Sequence, residues 1–429
     1  MNAVLPRVNT TLINALVLIL TGVSINTAHA EMETLSLLRA ETLALSNEPG
    51  INALDAKTQS MMQRSVADGQ LMDPKIQIGL LNLPTDTFDF NQEAMTQLKV
   101  SYIQQFPSGN TREIKSEKSV KQSEQFQHRM EERKRAILKK VRTSFLEVLY
   151  WDQAKQTVIK NQQLLNQLTE IVQSLFSLGR NLQLDVLTVQ LQQSKLEDRL
   201  TQIEQKISQQ RFKLSEWVGE NSKLPLQTQL PVFSTSQWLF QTAEESLNLL
   251  ASHPKALEIN TLLDITRKDI ELIRESEKPG WNLNVSYAYR DDAQNGTDRA
   301  DFVSAVVTLD IPLFTEHRQQ KHRQSQQFKI QSNQDQRDAL LRKMFSELSQ
   351  IQVNESLIEQ RKTLYQEKLI PQAQQRSEAA MQNYQSGNGA FSSVMQAYMD
   401  ALNTELEAHR LNIDQLKNQA SALYLVENL

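Results

Sequence analysis

The feature that most constrains this chain is an interval from Asn110 to Ser177 that contains neither glycine nor proline. If the interval is one helix, it measures about 100 Å at a rise of 1.5 Å per residue. A helix of that length needs packing partners along its whole course, because propensity alone does not hold it. Its last leucines and isoleucine follow a 4-3-4-3 spacing: Leu164, Leu168, Ile171, Leu175 and Leu178. This spacing is typical of the seam of a coiled coil.

A second long helix is predicted to run back along the first. The sequence Ser177-Leu178-Gly179-Arg180 marks a tight turn, and Gly219 marks the end of the returning helix. The returning helix repeats the seam spacing at Leu196, Leu200, Ile203 and Ile207. Two long helices joined by a short turn pack antiparallel.

Composition excludes several classes of protein. Charged residues make up 22% and hydrophobic residues 39%, which is unlike a bundle of membrane-spanning helices. The net charge of −4 gives no reason to expect a nucleic-acid partner. The absence of cysteine excludes disulfides, thiolate catalysis and cysteine-based metal sites.

The first thirty residues have the organisation of a secretory signal peptide. Arg7 precedes a short apolar run at 11–23, and Ala28-His29-Ala30 provides a small-residue cleavage site. We predict cleavage after Ala30 and export from the cytoplasm. The alternative is a membrane anchor, but the run is shorter than the roughly 20 residues that a span needs. No cysteine follows the cleavage site, so no lipid anchor is expected.

Four segments alternate apolar and polar residues with a period of two, which predicts four amphipathic strands of about ten residues. Their apolar positions are Ile76, Ile78 and Leu80; Leu98, Val100, Tyr102 and Phe106; Trp281, Leu283, Val285, Tyr287 and Tyr289; and Val303, Ala305, Val307, Leu309 and Ile311.

The chain carries an internal duplication. Three pairs of prolines are separated by the same 205 residues (254−49, 279−74, 312−107): Pro49 and Pro254, Pro74 and Pro279, and Pro107 and Pro312. Each pair falls at the same kind of element boundary, which indicates two structural repeats. We predict a first repeat at 31–219, a connecting segment at 220–244 and a second repeat at 245–429. Each repeat contains a helix, two strands and a long helical hairpin.

The second hairpin differs slightly from the first. Its turn glycine, Gly387, lies 208 residues after Gly179 (387−179), so its first long helix is three residues longer. Three residues are nearly one helical turn and leave the apolar stripe almost in phase. Pro371 lies inside this helix and is predicted to kink it.

Strands of about ten residues with one apolar face suit a membrane β-barrel, in which the apolar residues contact lipid. The alternative is a pair of ordinary hairpins on a soluble core. Four strands are too few for a barrel made by a single chain, since such barrels begin at eight. Unpaired backbone is not tolerated in lipid, so a barrel here would be shared between several chains.

Two short motifs around the turns give the chain a family resemblance. Phe176-Ser177-Leu178-Gly179 is followed by Leu184-Asp185-Val186-Leu187, and Tyr384-Gln385-Ser386-Gly387 is followed by Phe391-Ser392-Ser393-Val394. With the duplication and the strand entries at Asp73-Pro74 and Lys278-Pro279, they resemble the TolC family of outer membrane efflux proteins.

The resemblance covers almost the whole mature chain, and it implies a passive exit duct without catalysis or cofactor. The implied assembly is a homotrimer whose twelve-stranded β-barrel lies in the outer membrane of a Gram-negative bacterium. An α-helical barrel continues it into the periplasm. A periplasmic adaptor docks at its tip and connects it to an inner membrane pump of the RND type.

Four segments resemble the heavy-metal branch of that family: Asp73-Pro74, Asn82-Leu83-Pro84, Met95-Thr96-Gln97 and Gln105-Phe106-Pro107. The sequence departs from that branch at Ser108-Gly109-Asn110. The resemblance implies export of heavy-metal cations. Efflux of drugs or solvents, and type I protein secretion, are the alternatives within the same fold.

The predicted gate and adaptor-docking tip comprises Gly179, Asp185, Tyr384, Gly387, Ser393 and Gln396. Asp185 and Tyr384 fall where a well-studied family member links neighbouring coiled coils, and a phenol can bind a carboxylate reversibly. The alternative for Asp185 is an ordinary carboxylate at a helix start. Ser393 and Gln396 stand where that protein has two aspartates facing the lumen, and Gly389 stands where it has an arginine. An acidic ring that traps cations is therefore not expected.

No metal centre or enzyme active site is predicted. Five histidines form no pair at helical i, i+4 spacing: His128, His253, His317, His322 and His409. Met395 and Met399 are four residues apart, but such a pair usually belongs to a core. The sequence has no glycine-rich phosphate loop and no nucleophile elbow. A secreted coiled-coil scaffold or adhesin is the remaining alternative from another class.

Overall fold

The structure is a computed structural model that describes residues 34–46, 48–179, 182–234 and 242–427. The predicted signal peptide at 1–30 lies outside the described residues. Those residues form helices α1 (Leu37–Ser46), α2 (Pro49–Asp68), α3 (Thr111–Ser177), α4 (Gln183–Val218), α5 (Ala243–Ala251), α6 (Pro254–Glu275), α7 (Gln319–Leu364), α8 (Ile370–Gln385) and α9 (Phe391–Val426). They also form strands β1 (Lys75–Leu81), β2 (Gln97–Phe106), β3 (Gly280–Tyr289) and β4 (Phe302–Asp310).

The long interval without glycine or proline is one continuous helix, as predicted. Helix α3 has 67 residues, and α4 returns along it. Helix α9 also packs against α3, and both α7 and α8 pack against α9. These five helices form what we call the helical wall, with α4 and α7 at its edges. Among the described helices, none combines the length and apolarity needed to cross a membrane.

The order of elements recurs along the chain. Helices α2 and α6 both begin at a proline, where the missing N–H costs no hydrogen bond and the fixed φ suits a helix start. Strand β3 begins 205 residues after β1 (280−75), and β4 begins 205 after β2 (302−97). We propose 31–219 and 245–429 as the two repeats, joined by 220–244.

The four strands form one antiparallel sheet in the order β1-β2-β3-β4. Its register places the predicted apolar residues side by side on one face, for example Ile76 beside Tyr102, Tyr102 beside Val285, and Val285 beside Ala305. The opposite face carries a polar row: Gln77, Ser101, Ser286 and Ser304. The apolar face is largely exposed in a single chain: Ile78 is 69% exposed and Val303 is 77% exposed.

The coiled-coil seam was placed correctly in α4 and only partly in α3. Leu196 and Ile203 are buried between the helices of the first hairpin, as predicted. In the same stretch of α3, between positions 164 and 178, the buried apolar residues are Leu165, Leu168 and Val172. Three residues assigned to the seam are instead exposed, by 38% at Leu164, 36% at Ile171 and 65% at Leu178. They recur every seven residues, so they form a second apolar stripe beside the buried one.

The predicted interruption at Pro371 takes the form of a wider helical turn. A π-helical segment, Tyr365–Leu369, separates α7 from α8, and Pro371 follows at the second residue of α8. Proline has no N–H to donate and its ring crowds the carbonyl of the preceding turn. A π-helical turn accommodates both changes without ending the helix.

Candidate functional site at the hairpin tips

The second hairpin turns through a glycine in the left-handed conformation. Gly387 has φ of 80°, its N–H donates to the carbonyl of Tyr384 at 3.0 Å, and the N–H of Asn388 donates to Asn383 at 2.9 Å. This pair of bonds is the Schellman arrangement, which satisfies carbonyls at the end of a helix. The residues from Tyr384 to Gln396 around this turn are called the second tip below.

The first hairpin turns in a similar way. Gly179 has φ of 73°, and its N–H donates to Phe176 at 2.9 Å. A Cβ added at either glycine would meet no atom within 4 Å. Glycine is therefore favoured at both turns by the backbone conformation, since space is available for a side chain. Phe176–Leu191, without the undescribed Arg180 and Asn181, is called the first tip below.

Asp185 lies in the first turn of α4. Its backbone N–H donates to the carbonyl of Leu182 at 3.0 Å, and its side chain is half-buried. A carboxylate in this position is stabilised by the unpaired N–H groups and the dipole of the helix start. The geometry therefore suits the helix-start interpretation and leaves the carboxylate partly accessible for a bond to another helix.

Tyr384 lies in the last turn of α8 and is only 8% exposed. Its ring centroid is 5.2 Å from that of Phe391, the first residue of α9. The ring therefore closes the end of its own hairpin, together with the buried Val394 and Met395. The bond predicted between Tyr384 and a neighbouring coiled coil stays a prediction.

Ser393 and Gln396 are both exposed, whereas Val394, Met395 and Ala397 of the same helix are buried. Their side chains are thus available on the exposed side of the second hairpin, but neither is charged. Met395 belongs to the hairpin core and Met399 packs against it, as predicted from their spacing. In the described ranges, no three His, Asp or Glu side chains lie close enough to hold a metal ion.

The structure gives a physical reason for the glycine at 389. A Cβ at this position would lie 3.2 Å from backbone and side-chain atoms of Asn383 and from the N atom of Tyr384. Few real Cβ atoms sit this close to a neighbour, so a larger residue would displace the last turn of α8. The close approach of residue 389 to α8 is a feature that sequence analysis missed, because it depends on the path of the turn.

Sequence analysis also missed an apolar surface on the first tip. Six of its side chains are between 45% and 69% exposed: Phe176, Leu178, Leu182, Leu184, Leu187 and Leu191. In the second tip the equivalent turn is polar and Phe391 is buried. The two tips therefore offer different surfaces to a partner. The leucines after Gly179 were the available signal, but Leu184 and Leu187 were interpreted only as part of the motif after the turn.

Comparison with known proteins identifies the fold. No family model matches the sequence, and no curated protein matches it. Solved structures do match. The match to the outer-membrane channel OprN covers 91% of this chain and 89% of the OprN chain, with a TM-score of 0.76 and 12% identity. The chain has the fold of the TolC-type outer membrane channels.

Two further solved structures match with similar TM-scores. The outer membrane protein VceC from Vibrio cholerae has a TM-score of 0.75 and 14% identity, over 91% of this chain and 95% of its own. CusC, described in terms of transmembrane channel formation, has a TM-score of 0.73 and 16% identity, over 91% of each chain. The fold predicted from the sequence resemblance is confirmed: long helical hairpins joined to a small antiparallel sheet.

Proposed function

We propose that this protein is the passive outer membrane exit duct of a tripartite efflux system. The observation that carries the proposal is the combination of an open four-stranded sheet with an exposed apolar face and a helical wall based on a 67-residue helix. Lipid would cover the apolar face of the sheet. The helical wall would extend about 100 Å into the periplasm at 1.5 Å per residue.

The duct would be a homotrimer. Strands β1 and β4 each pair with one neighbour only, so two sheet edges are left open within the described residues. Pairing β4 of one chain with β1 of the next would leave no edge in the membrane. Three copies would give twelve strands, within the range of known barrels. The exposed stripe at Leu164, Ile171 and Leu178 would be covered by a neighbouring chain in the same assembly.

Cross-linking tests this arrangement cleanly, because the chain has no cysteine of its own. Gln77→Cys on β1 would be combined in turn with Ser304→Cys, Val306→Cys or Thr308→Cys, which share the polar face of β4. Oxidation should give covalent dimers and trimers and nothing larger. The control is Ser101→Cys with Ser286→Cys, which are register partners within one chain and should leave monomers. A ladder beyond three chains contradicts the trimer, and monomers from all three pairs contradict edge pairing.

The tips would be the gate and the docking site. The apolar first tip offers a surface for a periplasmic adaptor, which would connect the duct to an inner membrane pump of the RND type. Asp185 and Tyr384 would form reversible contacts between coiled coils that keep the periplasmic end closed at rest. The exposed Ser393 and Gln396 would face the passage without forming an acidic ring.

Heavy-metal cations are the first candidate cargo. This assignment is supported by the four sequence segments that resemble the heavy-metal branch. Drugs, solvents or a secreted protein are the alternative cargoes. The metal choice would be made by the inner membrane pump, since the tips offer no ligand cluster.

The decisive experiment compares a deletion strain with its parent for growth inhibition by two groups of compounds. One group contains salts of copper, silver, zinc, cobalt and cadmium; the other contains dyes, detergents and antibiotics. Hypersensitivity to the cations alone supports metal efflux, and hypersensitivity to amphiphiles alone contradicts it while leaving the duct intact. The alternative of a secreted scaffold predicts neither phenotype, and no heat-resistant trimer in the outer membrane fraction.

A further inference from the structure

A cavity of about 900 Å³ lies midway along α3, bordered by α3, α4 and α7 and by one residue each of α6 and α9. Its most unusual feature is its charge. Six lysines line it: Lys139, Lys140, Lys206, Lys213, Lys255 and Lys343. We call it the basic cavity.

The basic cavity has fewer carboxylates than lysines. Three glutamates line it: Glu147, Glu216 and Glu347. Glu147 is already bound by Arg410 at 2.9 Å and by Lys417, two cations of α9 that do not line the cavity. Glu347 is 3.9 Å from Lys343.

Two of the lysines have a carboxylate partner. Lys255 pairs with Glu132 at 3.1 Å, and Lys343 has Glu347. Within the part of the chain that the structure describes, no salt bridge is formed by the other four: Lys139, Lys140, Lys206 and Lys213. The cavity therefore keeps an excess of positive charge.

Aromatic rings stand beside the cations. The Nζ atom of Lys140 lies 5.2 Å from the ring centroid of Trp217, and that of Lys139 lies 5.1 Å from the ring of Tyr424. Trp151 lines the same cavity. Burial lowers the pKa of Lys139, because the charged ammonium group is poorly hydrated there. A bound anion would therefore stabilise the charged form of this side chain.

The basic cavity lies between the two edges of the wall. The edge helices α4 and α7 border it on either side, and α3 forms its floor. On α3, Thr143 and Glu147 line the cavity, whereas Phe145 is buried in the core that includes α1. Two residues of separation place side chains about 160° apart around a helix. The cavity and α1 are therefore on opposite faces of α3. The two edges of a curved wall approach one cavity only on its concave side, which in a tube is the inner face.

We propose that the basic cavity binds aromatic organic anions, such as sulfonates or carboxylates, on the inner face of the duct. Ammonium groups supply charge-assisted hydrogen bonds to the anion, and the tryptophan and tyrosine rings supply apolar contact. The volume matches cavities that take small organic molecules. The placement in the passage rests on the proposed function, whereas the binding itself does not.

The test uses the purified full-length protein in a non-ionic detergent and the fluorescent anion 1,3,6,8-pyrenetetrasulfonate. Fluorescence anisotropy measures the bound fraction of the probe. We expect saturable binding that weakens as salt is added, because salt screens the attraction between accessible charges. The variant Lys139→Gln/Lys140→Gln/Lys213→Gln should bind at least tenfold more weakly.

The matched control is Lys160→Gln, on the same helix and exposed. Position 160 is 20 residues from Lys140, which places the two side chains about 160° apart around α3. This control should bind as the parent does. If the triple variant does not fold, Lys213→Gln alone provides a second measurement. Circular dichroism checks that this variant folds, and it should bind the probe several-fold more weakly than the parent.

Absent binding by the parent overturns the proposal, as does equal binding by a folded variant and the parent. Loss of binding in Lys160→Gln also overturns it, because the anion would then respond to total charge rather than to the cavity. Conductance in planar bilayers separates this result from the proposed function. A protein that conducts ions but does not bind the probe refutes only the anion site, and a protein that never conducts refutes the duct.

Discussion

Arg133 on α3 binds the carboxylate of Glu48, the residue that caps α2. Its Nε atom donates to Glu48 Oε2 at 2.7 Å, and its Nη2 atom donates to the other oxygen. The backbone N–H of Ile51 donates to Glu48 Oε2 at 2.6 Å. One carboxylate therefore joins the start of a peripheral helix to the longest helix of the wall.

This contact predicts a loss of stability in acid. The hydrogen bonds from Arg133 lower the pKa of Glu48 from 4.5 to about 2. The contribution of Glu48 to the free energy of unfolding is therefore complete above pH 4.5 and is lost as pH falls towards 2. In Glu48→Gln, the melting temperature should depend less on pH across this window than in the parent.

Thermal unfolding followed by circular dichroism at pH 6 and pH 3 measures the effect. Glu220→Gln is the control, because the side chain of Glu220 is 87% exposed. Gly50→Ala should resemble Glu48→Gln, since a Cβ there would lie 2.2 Å from the Nε atom of Arg133. Equal pH dependence in the parent and Glu48→Gln would contradict the prediction.

His253 predicts a second pH effect in a higher range. It is fully buried at the start of α6, its Nδ1 atom accepts from the N–H of Lys255 at 3.1 Å, and its Nε2 atom donates to the carbonyl of Tyr424 at 3.2 Å. Both ring nitrogens are used in the neutral form, and burial lowers the pKa to about 4. Folding therefore gains stability from neutral His253 above pH 6.5, and loses it as pH falls towards 4.

The pKa of His253 falls from 6.5 to about 4 on folding, which corresponds to a contribution of about 3 kcal/mol at most to the free energy of unfolding. His253→Asn should remove this dependence, because asparagine caps a helix start without titrating. The variant should also be less stable at neutral pH, since it loses the contact with Tyr424. Denaturant unfolding at pH 7 and pH 5 measures both effects. A parent protein whose free energy of unfolding is the same at the two pH values rules out this role for His253.

Much of the fold was predictable because its signals are local and repeated. The absence of glycine and proline between Asn110 and Ser177 specifies a helix, and the prolines at a 205-residue offset specify the order of elements. The exact seam of α3 was not predictable. Leu164 and Leu165 are adjacent leucines, and only the positions of α4 and α9 decide which one is buried.

The candidate site was predictable to a smaller degree. The two turns require glycine because of their backbone conformation alone, so a glycine between two long helical segments is enough to predict each turn. The packing of Tyr384 on Phe391 and the crowding at Gly389 depend on tertiary approach across the turn. The basic cavity was least predictable, because its lysines come from four helices that are distant in sequence.

Gly109 predicts a large cost for adding one methyl group. It has φ of 48°, and a Cβ there would lie 1.8 Å from Oε2 of Glu275, the atom that accepts from the N–H of Asn110 at 2.7 Å. Gly109→Ala would therefore strain the backbone and break the contact that links the start of α3 to α6. We expect a loss of about 2–4 kcal/mol in the free energy of unfolding.

Gly296→Ala is a matched control for this prediction. Gly296 also has positive φ, of 81°, but a Cβ there would meet nothing within 4 Å. Gly296→Ala should therefore lower the free energy of unfolding only through backbone strain, by about 1 kcal/mol. Denaturant unfolding of the two variants isolates the contact with Glu275. Similar losses in both would mean that this contact contributes nothing measurable.

The gate predicts a change in conductance without a change in fold. The double variant Asp185→Ala/Tyr384→Phe removes a carboxylate and a hydroxyl, and the phenylalanine ring keeps the packing against Phe391. If the two groups hold coiled coils together, single channels of the purified variant in planar bilayers should conduct several-fold more at rest. Gln190→Ala, at an exposed position of α4, is the control and should match the parent. Unchanged conductance in the double variant would remove the gate assignment and leave Asp185 as a carboxylate that stabilises the start of α4.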